Sequence, residues 1–257
     1  MRNEYELDII IPTYNNSEYT IRCLRSIKKN TVVSYRIIWI DDGSIISEYQ
    51  KVSNELDEWR IGCVKHRTEK NGGFAKAVNI GIEASESDPI ILLNNDVIVT
   101  KGWLRRLIHG FGINKKAGII GAITDKCDSK QRYGRLMRQL GRSIPKKPAE
   151  YFRNLKSEII PTTSISYFCV AISRKLINTI GILDENFMNG GEDNDFNERA
   201  RLAGFRMFIA LDCFVWHRHN ATRGKFTNMK KALIRNRAIL SRKRAERKKN
   251  ENIDCAI

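Results

Sequence analysis

Apolar residues come in short runs that stop at polar turns. Leu7 to Ile11 reads as a first strand ending at Pro12, and Arg36 to Ile40 as a second, ending at Asp41-Asp42-Gly43-Ser44. Between them Ile21, Leu24 and Ile27 recur at helical spacing, with Ser17 placed to cap that helix. A more polar helix is expected from about Glu48 to Trp59, then a short third strand, Ile61 to Lys65. Phe74, Ala77, Val78, Gly81 and Ile82 form one apolar helix face after Asn71-Gly72-Gly73. Ile90 to Leu93 is a fully apolar run that breaks at Asn94-Asn95-Asp96 and resumes at Val97, Ile98 and Val99. Such runs, bounded by turn residues and alternating with amphipathic helices, predict parallel βαβ units with helices on both faces of a buried sheet.

The second half keeps the pattern with one interruption. Trp103, Leu104, Leu107, Ile108 and Phe111 line a helix, and Ala117 to Ile123 is a small-residue strand. From Asp125 to Ser157 the chain is rich in Arg and Lys, is broken by Pro145 and Pro148, and reads as an irregular basic insertion, either a lid or a solvated loop. Ser166 to Ile172 is a strand, and Ser173 caps a helix that Gly181 ends. Glu192, Asp193 and Asp195 then stand at the mouth of a helix closed by Gly204. Phe205 to Leu211 and Cys213 to His217 read as two further strands, with Cys213, Val215 and His217 on one side of the second. Beyond Thr222 an amphipathic basic helix is expected, with Met229, Leu233 and Leu240 as its weak apolar face.

Length and charge narrow the options. The 257 residues suffice for one large α/β domain. The formal net charge of +16 favours anionic partners: nucleic acid, an anionic membrane surface or phosphorylated substrates. Six scattered cysteines form no Cys-x-x-Cys, so neither a zinc site nor a disulfide framework is indicated. No apolar run approaches a membrane span, and no signal-type segment precedes the first strand, so a cytoplasmic protein is expected, with any membrane contact peripheral.

Acidic and amide groups at strand ends are the candidate chemistry. A carboxylate beside amide oxygens at the carboxyl end of a central strand suits a hard divalent cation that also holds phosphates, but a turn or helix-capping Asp fits Asp96 equally. The Asp41-Asp42 pair reads as a turn closing on Gly43, and Glu192, Asp193 and Asp195 as acids favoured by a helix N-terminus.

In order, the segments IIIPTYN, WIDDGS, NGGFAKAVNIGI, ILLNNDV, GGEDNDFNERARLAGFR and VWHRHNATRG resemble a family 2 glycosyltransferase of the GT-A fold, over roughly residues 7–224. The resemblance implies a nucleotide-binding half over 1–100 and an acceptor-side half over 101–224, with the basic tail, 225–257, outside it. It implies that Pro12, Thr13, Tyr14 and Asn15 flank base and ribose, and that Asp42, with Asp41 alongside, accepts from a base N–H. Asn71, Gly73 and Lys76 would lie near ribose or diphosphate, and Asn79 would brace the neighbouring loop. The family's Asp-x-Asp motif appears as Asn94-Asn95-Asp96, with Asn for its first acid. Asp96 would then bind Mn²⁺ or Mg²⁺, Asn94 and Asn95 would contact the nucleotide, and His217 would join the metal, with Thr222 and Arg223 following onto phosphates. Asp193 would be the catalytic base of an inverting transfer, with Glu192 or Asp195 orienting the acceptor or capping the helix. The implied partners are a UDP- or dTDP-sugar donor and a glycan or lipid-linked acceptor.

Two competing readings stay open. A polyanion-binding protein built on an idle domain would explain the charge, yet strand-end acids repel a phosphate backbone and no nucleic-acid motif is present. A sugar nucleotidyltransferase would carry a glycine-rich phosphate loop after its first strand, which PTYNNS is not. Peripheral membrane contact would use the basic tail.

Overall fold

A computed structural model describes residues 7–59, 62–188, 190–218 and 229–254. The expected positions Ile61, His219, Thr222 and Arg223 lie outside the described residues. In chain order the elements are β1 (Leu7–Thr13), α1 (Ser17–Asn30), β2 (Tyr35–Asp41), α2 (Ile46–Asp57), β3 (Cys63–Arg67), α3 (Phe74–Glu83), β4 (Ile90–Leu93), β5 (Val97–Val99) and α4 (Trp103–Ile113). There follow β6 (Ala117–Thr124), α5 (Tyr133–Gln139), α6 (Pro148–Arg153), β7 (Ile159–Thr162), β8 (Cys169–Ile172), α7 (Arg174–Ile180), α8 (Glu192–Leu202), β9 (Arg206–His217) and α9 (Met229–Asp254).

One sheet runs in the order β3-β2-β1-β4-β8-β6-β9-β5, with β7 added beside β9. The first four strands are mutually parallel. From β4 onward the sheet is mixed: β8 lies antiparallel to both β4 and β6, whereas β6 and β9 are parallel. The parallel character expected from the βαβ pattern therefore belongs to the first half of the chain. Strand alternation sends Ile9 and Ile11 to one face, with Leu24, Ile27, Trp103 and Leu107, and Ile10 to the other, with Val78, Ile82, Leu176 and Phe196. Helices thus cover both faces of one α/β domain. Helix α3 lies so close to β1 that a β-carbon at Gly81 would overlap Ile10. Gly81→Ala is expected to cost about 1–3 kcal/mol in chemical denaturation through this overpacking. An unchanged midpoint would mean the helix shifts freely.

Several local expectations differ from the structure. Ser17 is the first residue of α1, not its cap. Asn16 holds the cap position in the left-handed region, and the Ser17 amide donates to Glu48 Oε2 at 2.7 Å. The basic insertion is largely ordered: it contains α5 and α6, buries Leu136, Met137 and Phe152, and ties Arg142 to Glu158 at 3.0 Å. The two strands expected from Phe205 to His217 are one strand, β9, irregular where Ala210 pairs Ala122 but Phe214 pairs Ile123.

The basic tail helix packs on the domain. Leu233, Asn236, Leu240, Lys243 and Arg247 follow a spacing of three and four residues, which puts them on one helix face. Lys243 pairs with Asp184, Arg244 with Glu198 at 2.8 Å, and Arg247 with Asp195 at 2.5 Å. No helix among the described residues is long and apolar enough to cross a membrane.

Candidate active site

The carboxyl ends of β1, β2 and β4, the start of β8 and the N-terminus of α8 open onto one cleft of about 590 Å³. Open α/β sheets place ligands at such strand ends. The cleft gathers Pro12, Thr13, Tyr14, Asp42, Asn71, Asn94, Asn95, Asp96, Glu192, Asp193 and His217 from separate stretches of the chain. Of the other anticipated site residues, Asn15, Asp41, Gly73 and Lys76 do not line it, and each has another position. Asn15, at a φ of 51°, accepts from the Ile45 amide and donates its own amide to Ser44, tying the β1–α1 loop to the β2–α2 loop. Asp41 is buried and braces the turn through the Ser44 amide and Arg67. Burial raises its carboxyl above the ordinary range, against the lowering effect of Ser44 and Arg67. The Gly73 amide donates to Asp42, and Lys76 is exposed, its stem lying over Gly72.

Asp42 has two jobs available. Its carboxylate accepts from the amides of Gly72 and Gly73, each at 2.8 Å, and from Thr68 Oγ1 at 3.1 Å. That fixes the glycine loop before α3 against the end of β2. A carboxylate offers about four lone-pair directions, so one remains for a donor in the cleft. Thr13 is oriented by Trp39, whose indole N–H donates to its hydroxyl at 2.8 Å. Asn79 lies behind this wall, exchanging bonds with the backbone of Leu183.

Asp96 and His217 meet because β5 and β9 pair antiparallel with Val97 opposite His217. The Asn94–Val97 turn between β4 and β5 then brings Asp96 Oδ1 to 3.2 Å from His217 Nε2. Asn95 anchors that turn by donating to Thr20 Oγ1 at 3.0 Å. The imidazole is fixed on three sides: Nδ1 stands 3.1 Å from the Lys126 carbonyl, the ring stacks on Phe168, and its backbone amide donates to Asp125. A carbonyl partner calls for the proton on Nδ1, which leaves the Nε2 lone pair of a neutral ring facing a carboxylate oxygen. Two electron-rich atoms at that distance need a proton or a cation between them. The donor set, one imidazole and one carboxylate, fits Mn²⁺ or Mg²⁺ with oxygens of a diphosphate completing the shell. Among the described residues no cluster of three or more His, Cys, Asp or Glu offers a complete metal shell.

The acids at α8 separate into distinct positions. Glu192 is buried and folds back, its Oε2 accepting from the Gly190 amide at 2.6 Å. Asp195 is fully buried, paired with Arg199 at 2.8 Å and Arg247. Asp193 is only partly buried, borders the cleft and accepts from the Asn194 amide at 2.8 Å. Behind it Tyr167 is buried against Phe196, and its hydroxyl donates to Asn197 at 3.2 Å. Burial pushes the Tyr167 phenol well above its ordinary range, so it stays neutral.

Other lining residues were not expected at the site, although Leu233 and Leu240 were read as the apolar face of the tail helix. Cys127, Asp128 and Ser129 enter from the start of the insertion, Tyr167 from before β8, and Leu233, Asn236, Arg237 and Leu240 from α9. The three-and-four spacing of Leu233, Asn236 and Leu240 was the available signal, diluted by the cations around it.

Comparison with known proteins places this geometry. The pre-mycofactocin glycosyltransferase of Mycobacterium tuberculosis is 26% identical over 222 residues, covering 83% of this chain and 43% of that protein. This chain therefore spans less than half of that relative's length. A Pyrobaculum calidifontis mannosyltransferase, solved with GDP-Man and Mn²⁺, superposes with a TM-score of 0.69 at 14% identity, over 94% of this chain and 65% of that one. GalNAc-T7, solved with UDP, GalNAc and Mn²⁺, gives 0.66 at 16% identity, over 84% of this chain and 44% of that one. At such identities the structures establish the GT-A fold alone. The family model described as glycosyl transferase family 2 matches residues 8–181, which include β1 to β8, and the chain belongs to that family.

Proposed function

We propose that the protein transfers a sugar from a nucleotide-diphosphate donor to a hydroxyl of a glycan or lipid-linked acceptor, with inversion at the anomeric carbon. The observation that carries this reading is the sharing of one cleft by the Asp96–His217 pair and the half-buried Asp193. A donor laid along the strand ends would rest its base against Pro12, Thr13 and Tyr14, with the remaining lone pair of Asp42 accepting from a pyrimidine imide N–H. That preference makes UDP- or dTDP-sugars the expected donors. Asp96 and His217 would hold Mn²⁺ or Mg²⁺, which when bound supplies positive charge to the departing diphosphate. Asp193 accepts the proton of the acceptor hydroxyl as its oxygen attacks from the face opposite the leaving group. Glu192, buried with its Oε2 on the Gly190 amide, shapes the loop, and the more exposed Asp193 takes that proton.

On α9, Lys243, Arg244 and Arg247 face acidic partners within the domain. Peripheral contact with an anionic membrane is therefore assigned to the exposed Lys231, Arg235 and Arg242. Calorimetric titration of UDP, dTDP, GDP and CDP, each with and without Mn²⁺, tests the donor site. One uracil or thymine nucleotide should bind in a Mn²⁺-dependent way, and Asp96→Ala should weaken it by roughly ten-fold or more, the loss of one charged ligand. If the intact protein binds none of the four, the donor reading fails.

A further inference from the structure

Two glycines lead into α8. Gly190 and Gly191 sit at φ values of 149° and 100°, conformations reached because they lack side chains, and α8 begins at the next residue. Glu192 and Asp193 therefore follow a backbone whose course depends on these two glycines. An anchor for it comes from α9, more than 40 residues later. Asn236 is buried, 3% exposed. Its Nδ2 donates to the carbonyls of Met188 at 2.9 Å and Gly190 at 2.6 Å, and its Oδ1 accepts from the Met188 amide at 3.3 Å. The Gly190 peptide is thus gripped from both ends, its amide by Glu192 and its carbonyl by Asn236.

We infer that Asn236 is a positioning residue for Asp193, so that α9 is a working part of the catalytic cleft. The inference rests on the assignment of Asp193 as base. Only a side-chain amide serves here: two carbonyls require a donor, and the Met188 amide requires an acceptor on the same group. Both ends of the Asn236 amide are engaged by Met188 and Gly190. The residue acts by fixing the backbone that carries the carboxylate, where a misplacement of about 1 Å is worth roughly 100-fold in rate.

The test is a double-mutant cycle on nucleotide-diphosphate release, using whichever UDP-, dTDP- or GDP-sugar the wild type turns over with Mn²⁺. Asn236→Ala should lower kcat by about 10- to 100-fold with KM for the donor and calorimetric nucleotide affinity changed less than about two-fold. In an Asp193→Asn background the same substitution should lower the residual rate by less than about two-fold, because the group it positions is gone. Arg244→Ala, which loosens α9 elsewhere, should leave kcat nearly intact. If Asn236→Ala does not fold, Asn236→Asp keeps the size but points an acceptor at two carbonyls, and should show the same kcat loss and the same non-additivity. Equal losses in both backgrounds, or a loss confined to KM, would overturn the inference alone. Full activity in Asp193→Asn would instead overturn the assignment of the base beneath it.

Discussion

Asp193→Asn is expected to lower kcat by about 10²- to 10⁴-fold, the usual range for removing a positioned general base. Asn keeps the size and can still accept from the Asn194 amide, so the helix start should persist. What it loses is the ability to take a proton from the acceptor oxygen. Donor affinity should stay within about two-fold, since an interaction made only in the transition state changes kcat and not ground-state binding. The neighbouring acids supply the control. Glu192 borders the same cleft but is held by the Gly190 amide, so Glu192→Gln should have the smaller effect on kcat. Steady-state kinetics of both variants decide the matter. If Glu192→Gln loses more than Asp193→Asn, the roles are reversed. If neither falls by ten-fold, the carboxylates at α8 are not the base.

The sheet was legible in the sequence wherever burial and backbone geometry wrote the same pattern. Ile9 to Ile11, Ile37 to Ile40 and Ile90 to Leu93 are continuous apolar runs because both faces of those strands are covered, and each ends at a polar turn that becomes a cleft wall. Asp96, His217 and Asp42 were singled out through the resemblance of the motifs that carry them; the strand ends alone left turn and capping roles open. Elsewhere one structural demand hid another. Asp212 sits buried within β9, and a carboxylate inside an apolar strand made one element look like two. Strand β7 holds Pro161, tolerable because it lies at the sheet margin beside β9. Helices α5 and α6 contribute Leu136, Met137 and Phe152 to the core from among many cations. The loop-to-loop bonding of Asn15 was not foreseen because it is set by a left-handed backbone that no hydrophobic period reports. The docking face of α9 was hardest to see. Its inward positions include an amide and two cations, so its apolar signal was weak, and the complementary acids lie at Asp184, Asp195 and Glu198 on other elements.

Asp195→Ala should reveal how much that docking contributes. The carboxylate is completely buried and joins Arg199 of its own helix to Arg247 of α9. Both guanidinium groups are largely shielded, with side chains 20% and 21% exposed. Removing the acid leaves Arg199 on backbone carbonyls and Arg247 with only its 3.5 Å contact to Glu198, close to the situation in which breaking a buried pair costs about 3–5 kcal/mol. For a domain of this size that corresponds to a fall in Tm of roughly 10 °C. Arg199 retains the carbonyls of Ile180 and Ile182, so the greater part of the loss should fall on the α8–α9 contact. Arg244→Ala provides the contrast: its pair with Glu198 has the arginine side chain 53% exposed, and such pairs contribute about 1 kcal/mol or less. Calorimetric melting of the two variants side by side separates a docked helix from a solvated one. If Asp195→Ala melts no lower than Arg244→Ala, α9 does not share the domain's stability. A large drop for Asp195→Ala, with protease cleavage appearing first within residues 229–254, would show that the helix walling one side of the cleft is held there by charge buried beneath it.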